Sequence, residues 1–236
     1  SGNLEIPSSY NGKLVTGIGS DAFYCCSSLT SISIPDSVAS IGSSAFSGCT
    51  SLASITIPDS VTSIGSYAFS NCTGMTGDLT IPDSMKNIGE NAFNNSGFTG
   101  NLTIHDQVIN IGNYAFGNTG FKKTLTIGSG VESIGQESFY QCKFGTVLIK
   151  IPEIRSNILN DCFDYSEFGD LVIADGVTSI GDEAFSESKF TGSLTISDSV
   201  TELGDTAFAD SSFKKDLTIG SGVRTIGSDV FKNCSF

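Results

Sequence analysis

The sequence is short of positive charge, of histidine and of long apolar runs. Twelve Lys and Arg stand against 25 Asp and Glu, a formal net charge of −13. Such a chain is repelled by nucleic-acid backbones and anionic membrane surfaces. Its few cations are scattered, with doublets only at Lys122-Lys123 and Lys214-Lys215. No nucleic-acid partner is expected. No apolar run approaches the roughly 18 residues of a membrane helix, so no membrane insertion is expected in this segment. There is no secretory leader either. Ser1-Gly2 reads as an expression scar, which leaves room for a leader trimmed upstream.

His105 is the only histidine, and no Cys-x-x-Cys pair is present. Both facts speak against a zinc site, and no metal or other cofactor is expected. A lone His without a second His or a thiol beside it is also a poor start for catalysis. Seven Cys is an odd number, a poor fit to a disulfide framework.

What the chain has is repetition. Phe23, Phe46, Phe69, Phe93, Phe116, Phe139, Phe163, Phe185, Phe208 and Phe231 recur every 22–24 residues. A second series trails five or six residues behind: Leu29, Leu52, Met75, Phe98, Phe121, Phe144, Phe168, Phe190, Phe213 and Phe236. The two series use all 17 Phe, leaving none for a pocket. A fixed period of this length marks a solenoid. The expectation is a single repeat domain over residues 1–236, of about ten coils. Five of the Cys (Cys26, Cys49, Cys72, Cys142 and Cys234) sit three residues after an anchor Phe. They are read as free, buried, small apolar residues of the repeat.

The pattern of one coil predicts its shape. Leu79-Thr80-Ile81 alternates apolar and polar, a short strand with one buried face. The Pro that follows Ile in five coils ends that strand, having no N–H for a ladder. Asp-Ser behind it favours a turn. Val61-x-x-Ile64 predicts a second short extended piece. Gly65 is expected in a conformation closed to other residues. Ala68 and Phe69 are expected to point inward from about one helical or 3₁₀ turn.

Two coils depart from the pattern. The first, residues 1–23, holds five extra residues within Ser8–Leu14, read as a bulging loop. The seventh, about 149–163, is aligned on Ile151, so that Leu159 replaces Gly and Cys162 replaces Ala. A match at an offset of 92 residues, Phe121-Lys-Lys with Phe213-Lys-Lys, indicates internal duplication of four coils. The chain stops inside a repeat with no polar cap. Solenoids are normally capped at both ends, so a longer parent protein is expected.

The signature Leu-x-x-Ile-x-Ile-Pro-Asp-Ser-Val-x-x-Ile-Gly-x-x-Ala-Phe-x-x-Cys, present in Leu29–Cys49 and again in Leu52–Cys72, resembles the BspA-like class of leucine-rich repeats. The resemblance covers essentially the whole chain. It implies a leucine-rich repeat solenoid, β-rich within the α/β class, right-handed, with a parallel sheet on one face. It implies an extracellular or cell-surface protein of oral or gut bacteria or of mucosal parasites. Adhesion to matrix proteins such as fibronectin, or to other microbes, is the activity it implies. The family brings no catalytic residues, and no enzyme is expected.

The strand residue just before each signature Ile should face outward. That column gives the candidate ligand-binding residues Thr56, Thr80, Thr103, Thr126, Lys150, Thr195 and Thr218. Two readings compete for it. One is a β-branched ladder on a solvated face, consistent with a structural spacer or stalk. The other is a flat hydroxyl-rich face for an extracellular protein or glycan. The face lacks the aromatic and Arg anchors of strong hot spots, so binding there would rely on multivalency. The Asp column (Asp36, Asp59, Asp83, Asp106, Asp175, Asp198) is read as turn-forming. A calcium loop needs several oxygens from one loop, and each coil gives one. The densest acidic run, Glu153 to Glu187, overlaps the irregular coil and reads as a solvated shoulder. Gly17-Ile-Gly-Ser-Asp-Ala22 mimics a dinucleotide fingerprint but lacks a βαβ unit around it.

Overall fold

The computed structural model describes residues 2–155, 162–163 and 166–236. Each Leu-x-Ile segment forms a strand, and identical positions stack in parallel register one coil apart. The main sheet orders seven such strands in succession from Leu79–Thr80 to Leu217–Ile219. Leu102 faces Leu125, Thr103 faces Thr126 and Ile104 faces Ile127. Asn3–Glu5 and Ser31–Ser33 pair in the same sense at the first coils. Side chains alternate in and out along each strand, as a period of two requires: Leu, Val and Ile fill the inner positions, and Thr most of the row just before the inner Ile.

The second column consists of two-residue strands. Six of them, from Gly17–Ile18 to Ser133–Ile134, form one ladder. Four more, from Glu153–Ile154 to Thr225–Ile226, form another. The break falls at the irregular coil. There the register corrects the alignment on Ile151. Ile149, not Ile151, pairs with Ile127 and Ile173, and Ile154 takes the second-column place beside Ile180. The turn between the columns is two residues shorter in this coil than in its neighbours, so the Gly position falls on Arg155. The substitution at Leu159 lies outside the described residues.

The insertion in the first coil is not a bulging loop. Ser9–Tyr10 and Lys13–Leu14 pair antiparallel around Asn11-Gly12. Both turn residues have positive φ, 50° and 75°. This is the two-residue hairpin turn that Asn-Gly favours.

No helix forms among the described residues. Where a helical or 3₁₀ turn was expected, the chain runs as alternating tight turns. The Ala68 N–H donates to the Gly65 carbonyl at 3.3 Å and the Ser70 N–H to the Tyr67 carbonyl at 3.1 Å. The intervening amides point along the solenoid axis instead. The N–H groups of Tyr67, Phe69 and Asn71 donate to the carbonyls of Glu90, Ala92 and Asn94 in the next coil, at 2.8, 2.7 and 2.9 Å. Such alternation needs left-handed backbone two residues before and two after each anchor Phe. Tyr67 (φ 60°) and Asn71 (φ 58°) supply it here, and the same two positions recur along the chain. A helix cannot hold those φ values.

The core is two ladders of phenyl rings. Phe46 and Phe69 stack with centroids 5.1 Å apart, and Phe93 and Phe116 with centroids 5.5 Å apart. The trailing series stacks likewise, for example Phe190 on Phe213 at 5.1 Å. The ladders meet edge to face, as Phe93 meets Phe98 at 6.2 Å. Both geometries suit the ring quadrupole.

The Cys column has a role beyond filling space. Cys72 donates its thiol to the Phe46 carbonyl at 3.1 Å, and Cys142 to the Phe116 carbonyl at 3.2 Å. Ser and Thr also donate from this position in other coils, Ser166 to the coil before it and Ser96 and Thr119 within their own. Ser96 donates to the Phe93 carbonyl at 2.6 Å, Thr119 to the Phe116 carbonyl at 2.7 Å, and Ser166 to the Phe139 carbonyl at 2.6 Å. The position therefore requires a small hydrogen-bond donor for a buried carbonyl, which is why Cys, Ser and Thr interchange there. Cys49, Cys72 and Cys142 are buried, and Cys25 and Cys26 are exposed. Burial pushes the Cys72 and Cys142 thiols up to about 12.

Below pH 9 both thiols are protonated whether the chain is folded or not. Above it the unfolded chain releases protons that the folded chain retains, so stability falls as pH rises toward 12. The double variant Cys72→Ser, Cys142→Ser keeps the donors and removes the titration. Urea denaturation should show it within about 1 kcal/mol of wild type at pH 7. Between pH 9 and 11 it should lose less stability than wild type, by up to about 1.4 kcal/mol per pH unit for each thiol. Equal slopes for the two proteins would refute the assignment.

Candidate binding face

The main sheet carries the candidate residues. Thr80, Thr103, Thr126, Thr195 and Thr218 lie on its strands, each one residue ahead of or before the inward Ile. Thr56 precedes Ile57 in the third coil, exposed and outside any strand. Thr103 aligns with Thr80 on one side and Thr126 on the other, and Thr195 with Thr218. Like Thr56, a second candidate does not join the strands. Lys150 follows the strand Thr146–Ile149 and is exposed. The residue opposite Thr126 is Leu148, and Val172 continues the row. Lys150 instead lies near the next turn, where its charge adds slightly to the lowering of the Asp106 carboxyl.

This register places a half-buried aliphatic pair, Leu148 and Val172, in the middle of the hydroxyl row. The sequence hid the place of Leu148 because Pro152 resembles the Pro of the signature and drew the alignment onto Ile151. The adjacent outward column is occupied with holding coils together. Asp78 accepts the Asn101 N–H at 2.7 Å, and Asn101 accepts the Thr124 N–H at 3.1 Å. Asp170 accepts the Ser193 N–H at 2.8 Å. These bonds hold the Asp78 carboxyl below the usual carboxylate range, the Asn101 amide being the main cause. What the face offers a ligand is therefore the Thr row and its aliphatic centre.

Two of the column Asp residues bond the backbone of the next coil. Asp106 accepts the Ser129 N–H at 2.8 Å and Asp198 accepts the Ser221 N–H at 2.6 Å. Both carboxyls are held low chiefly by that backbone donor. His105 meets Asp83 at 2.9 Å on the surface, and Glu167 of the acidic shoulder meets Lys143 at 3.6 Å. Among the described residues no group of three His, Cys, Asp or Glu is placed to hold a metal ion. No helix among them is long and apolar enough to cross a membrane.

The chain matches the model of the BspA-type leucine-rich repeat region, in six copies, over residues 16–146 and 156–236. No curated protein matches it significantly. Among solved structures it is similar to the Treponema pallidum leucine-rich repeat protein, at 22% identity and a TM-score of 0.45, covering 98% of this chain and 75% of that one. It is similar to a leucine-rich cell surface protein from Faecalibacterium prausnitzii, at 22% identity and a TM-score of 0.43, covering 94% and 70%. It is also similar to the pneumococcal vaccine antigen PcpA, at 16% identity and a TM-score of 0.53, covering 99% and 78%.

Proposed function

The chain belongs to the family of BspA-type leucine-rich repeat proteins, and we propose that it is a non-enzymatic, adhesin-like binding module, secreted or displayed on a cell surface. One observation carries the reading. Cys72, Cys142 and Ser166 and the outward Asp78, Asn101 and Asp170 are spent on joining one coil to the next, whereas the Thr row is not. That leaves a flat, regular, solvent-facing row for recognition of an extracellular protein or glycan. The fold shared with PcpA, which is named as a vaccine antigen, fits exposure at a surface.

The test uses immobilised residues 1–236 and soluble fibronectin. Wild type is expected to capture it saturably. The variant Thr103→Glu, Thr126→Glu, Thr195→Glu places three charges across the row, and capture should fall at least tenfold with the circular dichroism spectrum unchanged. Equal capture by the variant would rule out this face. Absence of capture by wild type favours the other role, a spacer that holds other domains away from the cell.

A further inference from the structure

We propose that the turn face of the third to sixth coils is a second binding site, one for neutral glycans, distinct from the Thr row. The residues are Tyr67, Asn71, Asn95, Tyr114, Asn118 and Tyr140. Five of them lie two residues before or after the anchor Phe in the third to fifth coils, and Tyr140 directly follows Phe139 in the sixth. Tyr67 is 43% exposed, Asn71, Asn95 and Asn118 are exposed, and Tyr114 and Tyr140 are half-buried. The inference rests on the surface-binding reading but not on its contact face.

Two observations point to a ligand. The first is composition along one geometric feature. At the equivalent positions of the last three coils the turn face carries Glu183, Glu187, Thr206, Asp210, Asp229 and Asn233. The fold is the same there, so the turns do not themselves demand aromatic or amide side chains. The second is backbone preference. Tyr67 and Tyr114 stand at φ 60° and 54°, in the left-handed region that bulky side chains avoid. Asn91 holds the same place in the coil between them, at φ 53° and without conflict. The turn imposes that φ at the same place in other coils, at Glu137, Glu183 and Thr206 among them, so the cost belongs to the fold; at Tyr67 and Tyr114 an aromatic ring fills a place that Asn fills with less conflict.

The chemistry fits a sugar. A tyrosine ring presents an apolar face with a polar edge, which suits the C–H face and the hydroxyl rim of a pyranose. An amide has two donor hydrogens and an acceptor oxygen, a match for neighbouring hydroxyls. The groups are held in place before any ligand arrives. Tyr114 and Tyr140 meet edge to face at 6.1 Å, Tyr114 donates its hydroxyl to Glu137 at 2.7 Å, and Asn95 donates to Asn71 at 2.8 Å. Preorganisation of this kind lowers the cost of binding. The coil spacing of 5.1 Å, read from the stacked Phe rings, is close to the length of one sugar unit, so a polysaccharide lying along the axis would meet equivalent groups repeatedly. The net charge of −13 turns the choice toward neutral rather than acidic chains.

The experiment measures binding of the full chain to desialylated mucin, untreated or oxidised with periodate, which cleaves vicinal diols. Wild type is expected to bind the untreated form and to lose binding after oxidation. The variant Tyr67→Asn, Tyr140→Ala should bind at least tenfold more weakly. Tyr67→Asn alone should bind more weakly while its melting temperature stays level or rises, since Asn suits that backbone. A merely structural role for the ring predicts the reverse. The Thr row triple variant should bind mucin as wild type does. Binding that survives periodate would identify a protein partner and overturn the inference, as would no binding to untreated mucin. Loss in the Thr variant with the Tyr variants unaffected would return recognition to the sheet. Because fibronectin capture is scored separately, failure here leaves the sheet-face reading standing or falling on its own result.

Discussion

Replacing Phe116 with Ala is expected to lower the free energy of unfolding by about 3–5 kcal/mol, the range for a fully buried Phe that leaves a cavity. Phe116 has no solvent exposure. Its ring stacks on Phe93 at 5.5 Å and on Phe139 at 5.7 Å, so truncation removes a contact on both sides. In a solenoid each coil touches only its neighbours, and stability is close to a sum of coil and interface terms. Loss of an interior rung therefore weakens two interfaces at once and divides the array into shorter halves. Urea denaturation followed by circular dichroism should show an earlier and broader transition. The control is Phe236→Ala, whose ring is 49% exposed and stacks on one partner within its own ladder, Phe213. It should cost less than half as much. A loss below about 1.5 kcal/mol at Phe116 would mean that the ladder collapses around the gap more readily than rigid stacking allows.

The ladder was legible before any coordinates because the period and the residue type agreed at every copy. Stacking identical side chains fixes which residues are inside without reference to the path between them. The path was less legible. The helical turn expected at Ala68-Phe69 is a run of alternating turns, and the deciding signal lay in residue choices two positions away. Asn71, Asn91, Asn95, Asn118 and Asn233 mark left-handed backbone, which Asn tolerates better than most residues. The Asn11-Gly12 hairpin had an equally direct signal. The Cys column looked apolar when Cys was read alone; Ser96, Thr119 and Ser211 at the same position show that it requires a donor. The alignment of the Thr residues was legible except where the seventh coil shortens its turn. A Pro that mimicked the repeat hid that change, so that Lys150 was read in the place that Leu148 takes between Thr126 and Val172. The Tyr and Asn turn face was not visible at all, because nothing in the spacing says which way a turn residue points.

Gly89 gives the second large effect, and it corrects the reason offered for the glycine column. These glycines were expected to supply a conformation closed to other residues. Gly65 and Gly89 are not among the positive-φ residues, so an L side chain meets no backbone penalty there. What excludes it is the coil below. A Cβ on Gly89 would sit 2.5 Å from the Gly65 carbonyl carbon and 2.6 Å from the Ser66 nitrogen. Those are backbone atoms, held by the Gly89 N–H donating to the Ile64 carbonyl at 2.9 Å, and they cannot rotate away as a side chain would. Gly89→Ala must therefore prise two coils apart. The expected loss is about 2–3 kcal/mol, at or above the middle of the range for overpacking. Gly19 is the same residue of the repeat with open space around its Cβ direction. There the substitution restricts only the unfolded chain and should be neutral or stabilising by up to about 1 kcal/mol. Opposite signs at two copies of one position would establish that the column is glycine because the coils approach closely. If both variants were destabilised alike, the cause would be backbone conformation after all, and the close stacking of the second-column ladder would have to be looser than 2.9 Å hydrogen bonds imply.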